Sequence, residues 1–287
     1  MEGYFAKAYA KVNLSLDVCG RREDGYHLLQ SVMQEISLFD TLQAVPAKEI
    51  IIRCDRADLP LDENNIVFKV AKAYFAYIGL KNKGVCFTLE KHIPSGAGLG
   101  GGSADGVAAL RLLDEMYGTH LTKEQMVDIV APIGADLPFF VYGSTALAQG
   151  IGEMITPLSP LTKGAFLLVK PNIFMSTPKI FRILDEVGQA EHPDIQKMIT
   201  AVQAQDIAAI GAAMGNSLQS AGVRDHDFIL PLRQRLLAAG AKGAMLSGSG
   251  STVFGVFETQ AAAQTAAAQF CEDDLFSFVA TPVLEKI

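Results

Sequence analysis

Between Pro94 and Asp105 the chain reads Pro-Ser-Gly-Ala-Gly-Leu-Gly-Gly-Gly-Ser-Ala-Asp, and no other stretch restricts its folding as strongly. Val85–Lys91 before it has the apolar character of a strand, and Val107, Leu110 and Leu113 after it fall at helical spacing. Glycine reaches positive φ at little cost and has no Cβ, so several N–H groups of such a loop can point at one spot. A helix that begins there adds the positive end of its dipole. Together these make a cradle for phosphate. A mobile surface loop is the plainer reading, and the helix-forming residues directly after Ser103 count against it.

The loop is not a Walker A loop, because the chain contains no Gly-Lys dipeptide. A literal G-x-G-x-x-G occurs at Gly96, Gly98 and Gly101, but a dinucleotide fold would place a strand-end acid ~20 residues further on. Here that position is Leu121–Glu124, the start of a helix, so the match is accidental. Neither H-R-D nor D-F-G is present, which excludes a protein kinase.

Residues 6 to 18 alternate regularly. Ala6, Ala8, Ala10, Val12, Leu14, Leu16 and Val18 point one way, and Lys7, Tyr9, Lys11, Asn13, Ser15 and Asp17 the other. This predicts a strand with one core face and one polar face. Further strands are expected at Leu28–Leu38, Thr41–Val45, Glu49–Cys54, Phe166–Val169, Ala244–Leu246, Val253–Phe257 and Phe276–Val283. Asn64 or Asn65 caps a helix running to Ile78, and Thr122 with Gln125 resembles a capping box. Gly134–Pro138 reads as a turn, several helices fall between Pro178 and Ala239, and an Ala-rich one spans Ala261–Gln269. Ile155–Lys163, with Pro157, Ser159 and Pro160, is the candidate linker. The reading is α+β in two domains, 1–156 and 157–287.

The chain has 287 residues, which at ~150 per domain agrees with two domains. Apolar residues make up 49% and charged residues 19%, enough for a sizeable core, so general disorder is excluded. Lys and Arg number 24 against 31 Asp and Glu, a formal charge of −7. That balance argues against nucleic acid as the main partner but not against a small anion, which needs only local positive potential. No uncharged run reaches the ~18 apolar residues of a membrane span, the nearest being Leu137–Gly152, which carries Pro138, Gly143, Gly150 and Gly152, and Glu2, Lys7 and Lys11 interrupt any signal-peptide core. A cytoplasmic protein without a membrane partner is expected. Cys19, Cys54, Cys86 and Cys271 form no C-x-x-C pair, and the five histidines lack ligand spacing, so reduced thiols and no protein-held metal are expected.

Three motifs in order give the chain a wider resemblance. Lys11-Val-Asn-Leu14 lies in the opening strand, Pro94–Ser103 is a P-x-x-x-G-L-G-G-G-S loop, and Gly248-Ser-Gly-Ser-Thr252 is a C-terminal glycine turn. In these the chain resembles the GHMP small-molecule kinases, over nearly its whole length. Gly20-Arg-Arg-Glu-Asp-Gly-Tyr-His27 and Ile133-Gly-Ala-Asp-Leu-Pro-Phe-Phe140 match the branch that acts on a cytidine-diphosphate-linked sugar alcohol. The resemblance implies ATP-dependent phosphorylation of a hydroxyl of such a substrate, with Mg²⁺ carried by the nucleotide. It also implies a ribosomal-S5-like nucleotide domain followed by a ferredoxin-like domain. A monomer or weak homodimer is expected.

Carried over residue by residue, the resemblance makes Asp136 the base that accepts the hydroxyl proton, although an Asp before Leu-Pro is also an ordinary helix cap. Lys11 becomes its partner rather than a solvated lysine, keeping the carboxylate ionised and oriented. Asn13, two residues along the same strand face, becomes a substrate contact. Tyr26 is implied to stack on the cytosine and His27 to read its edge; Thr177 and Phe181 belong to the same substrate group, Phe181 being equally a core candidate. Pro94, Ser95, Gly96, Ala97, Gly98, Leu99, Gly100, Gly101, Gly102, Ser103 and Ala104 are implied to hold the nucleotide phosphates. Asn65 reads evenly as an adenine-side contact and as a cap. Ala97 stands where many relatives carry glycine, and alanine tolerates less positive φ. Two other functions are weighed: a GHMP kinase for homoserine or a mevalonate-type acid, which have no base for Tyr26 to stack on, and a catalytically silent nucleotide sensor.

Overall fold

In a computed structural model of the protein, residues 3–80, 83–187 and 192–284 are described. The chain forms two compact units, each assembled from separated segments: residues 1–10, 38–94 and 100–142 in one, and 11–37, 95–99 and 143–287 in the other. Two long strands, β1 (Tyr4–Arg21) and β2 (His27–Ala47), supply residues to both. A single cut at 156/157 stays a proposal about the folding units.

In the first unit, β3 (Ile51–Cys54) precedes α1 (Ile66–Tyr77) and β4 (Gly84–Glu90). β4 pairs antiparallel with Thr41–Ala47 of β2 and parallel with β3. Asn65 starts α1 by accepting the Val67 N–H at 2.9 Å, as a cap should. Val67, Val70, Ala71, Tyr74 and Phe75 are its buried face, and Tyr77 is exposed. α2 (Gly101–Tyr117) packs on α1, followed by α3 (Lys123–Val130), whose capping box between Thr122 and Gln125 is complete, and α4 (Leu137–Tyr142). A Cβ on Gly106 would stand 2.8 Å from Ile66 and 3.3 Å from Leu137, so glycine there lets α1 and α4 close on α2.

In the second unit, β5 (Thr145–Gln149) pairs with Ser31–Gln34 of β2 and with β6 (Met154–Pro157). Then come β7 (Ala165–Pro171), α5 (Thr177–Val187), α6 (Ile195–Gln203), α7 (Ile207–Ala213), β8 (Gly215–Asn216), α8 (Gln219–Asp225), α9 (Ile229–Ala238), β9 (Gly243–Leu246), β10 (Val253–Phe257), α10 (Gln260–Ala267) and β11 (Leu275–Ala280). An antiparallel sheet has the order β11-β7-β10-β9. Numbered along the chain, that is fourth, first, third, second, the ferredoxin-like arrangement. Its helices bury Ile180, Leu184, Ile229, Leu236 and Ala263 against Leu167, Val169, Leu246 and Phe257.

Two expectations need correction, and two further features went unread. The strands placed at Leu28–Leu38 and Thr41–Val45 are one continuous strand, because Asp40 continues the buried register instead of breaking it. Residues 145–149 and 154–157 pair as β5 and β6, so the expected linker begins inside a strand: backbone pairing overrides the glycines and prolines nearby. The two-residue β8, parallel to Ser15–Leu16 of β1, has no local pattern to announce it. The polar face of β1 is covered along its middle, where Lys11, Asn13 and Ser15 are buried, while Lys7 near its start is exposed.

Candidate active site

Strand period 2 places Lys11 and Asn13 on one face of β1. The Lys11 ammonium donates to Asn13 Oδ1 at 2.8 Å, Asn13 Nδ2 donates to Ser31 Oγ at 2.8 Å, and that hydroxyl donates to the Ser15 carbonyl at 2.7 Å. Both are almost wholly buried, Lys11 being 4% exposed. Burial raises the energetic cost of leaving any of these groups unmatched, so the relay fixes the direction of the lysine head group.

The C-terminal glycine turn arrives at the same place. A Cβ on Gly248 would lie 3.3 Å from Asn13 Oδ1 and 3.4 Å from Lys11 Nζ. Asn216 holds the turn by donating to the carbonyls of Leu246 and Gly248 at 2.9 and 2.8 Å. The first half of the long glycine loop is tied to it as well. Ser247 Oγ donates to the Gly98 carbonyl at 2.9 Å and the Thr252 N–H to the Ala97 carbonyl at 3.2 Å, while the Lys11 N–H donates to the Leu99 carbonyl at 2.9 Å. Gly98 sits at φ +72°, and a Cβ on it would run into the Ser247 carbonyl oxygen. Ala97 is not among the positive-φ residues, so the backbone needs no glycine there. The Lys11 strand, the C-terminal glycine turn and the first half of the long glycine loop therefore meet within one unit.

Thr177 joins this group, its hydroxyl 2.7 Å from Ser249 Oγ. His27 and Phe181 form a separate cluster. Their rings stack with centroids 4.7 Å apart, and His27 Nε2 lies 2.7 Å from Asp185 Oδ1, which also meets Arg21 at 3.2 Å. An ionised carboxylate only accepts, so Nε2 is the donor. Phe181 also packs on the edge of the hydrophobic core, and Tyr26 is exposed.

In the first unit the second half of the loop becomes the start of α2. Gly100 takes the N-cap position at φ +72° and, having no side chain, makes no cap bond to the first turn. Pro94 leads into the loop, and Ser103 and Ala104 lie in that first turn. Asp136 directly precedes α4, whose first residue, Leu137, packs against α2 at Gly106; Asp136 is half-buried. Arg111 of α2 closes the other end of α4, donating to the carbonyls of Phe140 and Val141 at 2.8 and 3.1 Å. Asn65 is the α1 cap, with its Nδ2 donating to the Pro60 carbonyl at 2.7 Å.

The residues match a known family throughout. Residues 65–144 match the model of the GHMP kinases N terminal domain, and residues 198–273 that of the GHMP kinases C terminal domain. A curated protein of Clostridium novyi named 4-diphosphocytidyl-2-C-methyl-D-erythritol kinase is 40% identical over 261 residues, 91% of this chain and 93% of that protein. The chain is a GHMP kinase. A crystal structure of a 4-(cytidine 5'-diphospho)-2C-methyl-D-erythritol kinase superposes on this GHMP kinase with a TM-score of 0.81 at 30% identity, covering 96% of this chain and 99% of that one. Homoserine kinase from Cytophaga hutchinsonii shares the fold at a TM-score of 0.74 and 18% identity. The α+β two-domain architecture expected from the sequence is thus the architecture of the family. As a small-molecule kinase, the protein uses ATP as phosphoryl donor. None of its helices among the described residues is long and apolar enough to cross a membrane.

Sequence reasoning passed over one cluster of this kinase. Lys91, just after β4, contacts Asp40 Oδ2 of β2 and lies 2.5 Å from Asp105 Oδ2 of α2. Asp40 Oδ1 accepts the N–H groups of His92 and Ile93 at 2.6 and 2.8 Å. The cluster thus grips the stretch leading into the glycine loop and the helix leaving it. A signal did exist: in Leu38-x-Asp40-x-Leu42-x-Ala44 the acid occupies a core-facing register. A carboxylate there needs a buried partner.

Proposed function

We propose that the protein transfers the γ-phosphoryl group of ATP to the 2-hydroxyl of 4-diphosphocytidyl-2-C-methyl-D-erythritol, giving the 2-phosphate and ADP in non-mevalonate isoprenoid precursor synthesis. The observation that carries this reading is the meeting of Lys11, Asn13, the Gly248 turn and the first half of the glycine loop, in a chain 40% identical to a kinase of that name.

In this reading Asp136 accepts the proton of the attacking hydroxyl, whose oxygen bonds the γ-phosphorus as the bond to the bridging oxygen of ADP breaks. Lys11 is the second catalytic residue of this reading and supplies positive charge; the N–H groups of residues 100–103 hold the phosphates, that of Ala104 already donating to the Gly100 carbonyl at 2.9 Å. Little covalent work falls to the protein in such a transfer, so alignment of hydroxyl and phosphate dominates. Asn13 and Thr177 orient the acceptor; Tyr26, His27 and Phe181 take the base. Asn65 stands on the adenine side.

Mg²⁺ is part of the proposal only as a passenger on the nucleotide, whose phosphate charge it neutralises. Among the described residues no three His, Cys, Asp or Glu side chains come together as an ion cage, so the residues do not build a resident metal site and no step is routed through one.

Asp136→Asn and Lys11→Ala are each expected to lower kcat by ~10²–10⁴ while ATP still binds. A loss under threefold in a coupled ADP-release assay removes that residue from the mechanism. A panel of alcohols tests the substrate. Turnover of homoserine or mevalonate with none of the cytidyl substrate rejects the assignment, and ATP binding without any turnover leaves a sensor.

A further inference from the structure

Asp40, Lys91 and Asp105 bring two carboxylates and one ammonium together, on side chains at most 5% exposed. With all three charged, the cluster holds one buried negative charge in excess. Asp105 Oδ1 is buried and has no hydrogen-bond partner among the described residues. The cluster also lies at the start of α2: a Cβ on Gly101, the first residue of that helix, would stand 3.6 Å from Asp40 Oδ2. Asp105 is about one helical turn further along. Anions so close to a helix N-terminus are welcome when nothing else is bound there. They oppose a second anion at the same terminus, and poor solvent screening keeps that opposition strong.

We infer that nucleotide binding at the N-terminus of α2 takes up a proton at the Asp40–Lys91–Asp105 cluster, with Asp105 as its seat, so that these positioning residues couple ATP affinity to pH. The inference rests on the placement of the phosphates proposed above. The proton comes from solvent, bonds to Asp105 Oδ1, and returns to solvent when the nucleotide leaves; no other bond changes. The cluster then carries no net charge beneath the phosphates.

The acidity of the groups runs in the same direction. Burial, opposed by Lys91 and reinforced by Asp40, pushes Asp105 up to about 7. Burial would lower Lys91, but Asp105 and Asp40 outweigh it and hold the ammonium above its ordinary range. Lys91 from the end of β4 and Asp40 from β2 are the charged groups facing Asp105. α1 meets the neighbouring Gly106 with Ile66 and Val70, and α4 meets it with Leu137. At the end of β3, Asp55 accepts the Lys91 N–H at 3.1 Å, with Cys54 beside it. Binding favours the protonated form, so the bound-state pKa lies above the free one. Affinity is then complete below about pH 7 and falls as pH rises through the bound-state value.

The test is the Kd for ATP by titration calorimetry from pH 6 to 8.5, in excess Mg²⁺, for the wild type and Asp105→Asn. Asparagine has the shape and charge of the protonated acid. The wild-type Kd is expected to rise ~threefold or more across the range while the variant stays flat. The nucleotide's own titration is common to both and cancels in the ratio. Repeating the wild-type titration at pH 7.5 in two buffers of different ionisation enthalpy counts protons, and net uptake is expected. Equal pH slopes, or no uptake, overturn the inference. Should Asp105→Asn not fold, the wild-type proton count decides alone. Failure of the phosphate placement looks different: Gly102→Ala then leaves the Kd for ATP unchanged at every pH.

Discussion

The two halves of the glycine loop use the same residue for opposite purposes. In residues 95–99 the backbone carbonyls are taken by neighbours. Ser251 N–H, Thr252 N–H and Ser247 Oγ take the carbonyls of Gly96, Ala97 and Gly98, and Cβ atoms on Gly96 and Gly98 would strike the Phe174 ring and the Ser247 carbonyl. From Gly101 onward the residues are helical, and the N-cap, Gly100, has no side chain with which to cap the first turn. A Cβ on Gly102 would meet only the Ile66 methyl end, at 3.3 Å. Glycine at 98 is there because two backbones touch, and at 96 because the Phe174 ring lies against it. In the second half it starts a helix with no side chain at its N-cap.

The largest effect that would test this contrast is Gly98→Ala. It combines a positive φ that L residues rarely adopt with a clash against backbone, which cannot swing away as a side chain does. A loss of ~3 kcal/mol or more in urea unfolding is expected, together with loss of activity. Stability within ~1 kcal/mol of wild type would show that the two turns are not packed as described. Ser247→Ala comes next. It removes the hydroxyl that satisfies the Gly98 carbonyl and is expected to cost ~1–2 kcal/mol in the same measurement, with kcat within about twofold of wild type. A kinetic collapse without loss of stability would give Ser247 a direct part in the chemistry. Gly102→Ala is the mildest. Helix propensity favours alanine by up to ~1 kcal/mol and crowding of Ile66 opposes it, so stability should stay within ~1 kcal/mol while the KM for ATP rises several-fold. An unchanged KM would erase the distinction between the halves.

The legible parts of the sequence were those where a local rule decides. The Thr122–Gln125 box, the Asn65 cap and the loop-to-helix junction all depend on residues a few positions apart, and all formed as read. The alternation from 6 to 18 announced a strand but not the burial of both its faces, because Lys11 and Asn13 are covered by segments far along the chain. β5 went unread and β6 fell at the head of the expected linker, since their order comes from pairing with each other and with residues 31–34. The Asp40–Lys91–Asp105 cluster joins positions 51 and 14 residues apart, which no spacing rule connects. His27, Phe181 and Asp185 met for the same reason: Phe181 and Asp185 are four apart on α5, but their partner stands at the head of β2. The family motifs brought together the glycine turns and the Lys11 strand; they did not reveal which atoms would touch.

The route of β1 has a consequence for how the molecule is made. Leu16 lies in the core with Leu167, Leu246 and Phe257, Ser15 and Leu16 pair with Gly215 and Asn216, and Asp17 accepts a bond from Ser217, 200 positions later. At ~5–20 residues per second, a ribosome needs roughly 10–40 s to deliver that partner. For that interval an apolar strand waits exposed beside a half-formed sheet, so slower translation of the second half, or too little chaperone, should be felt first as aggregation of the nascent chain.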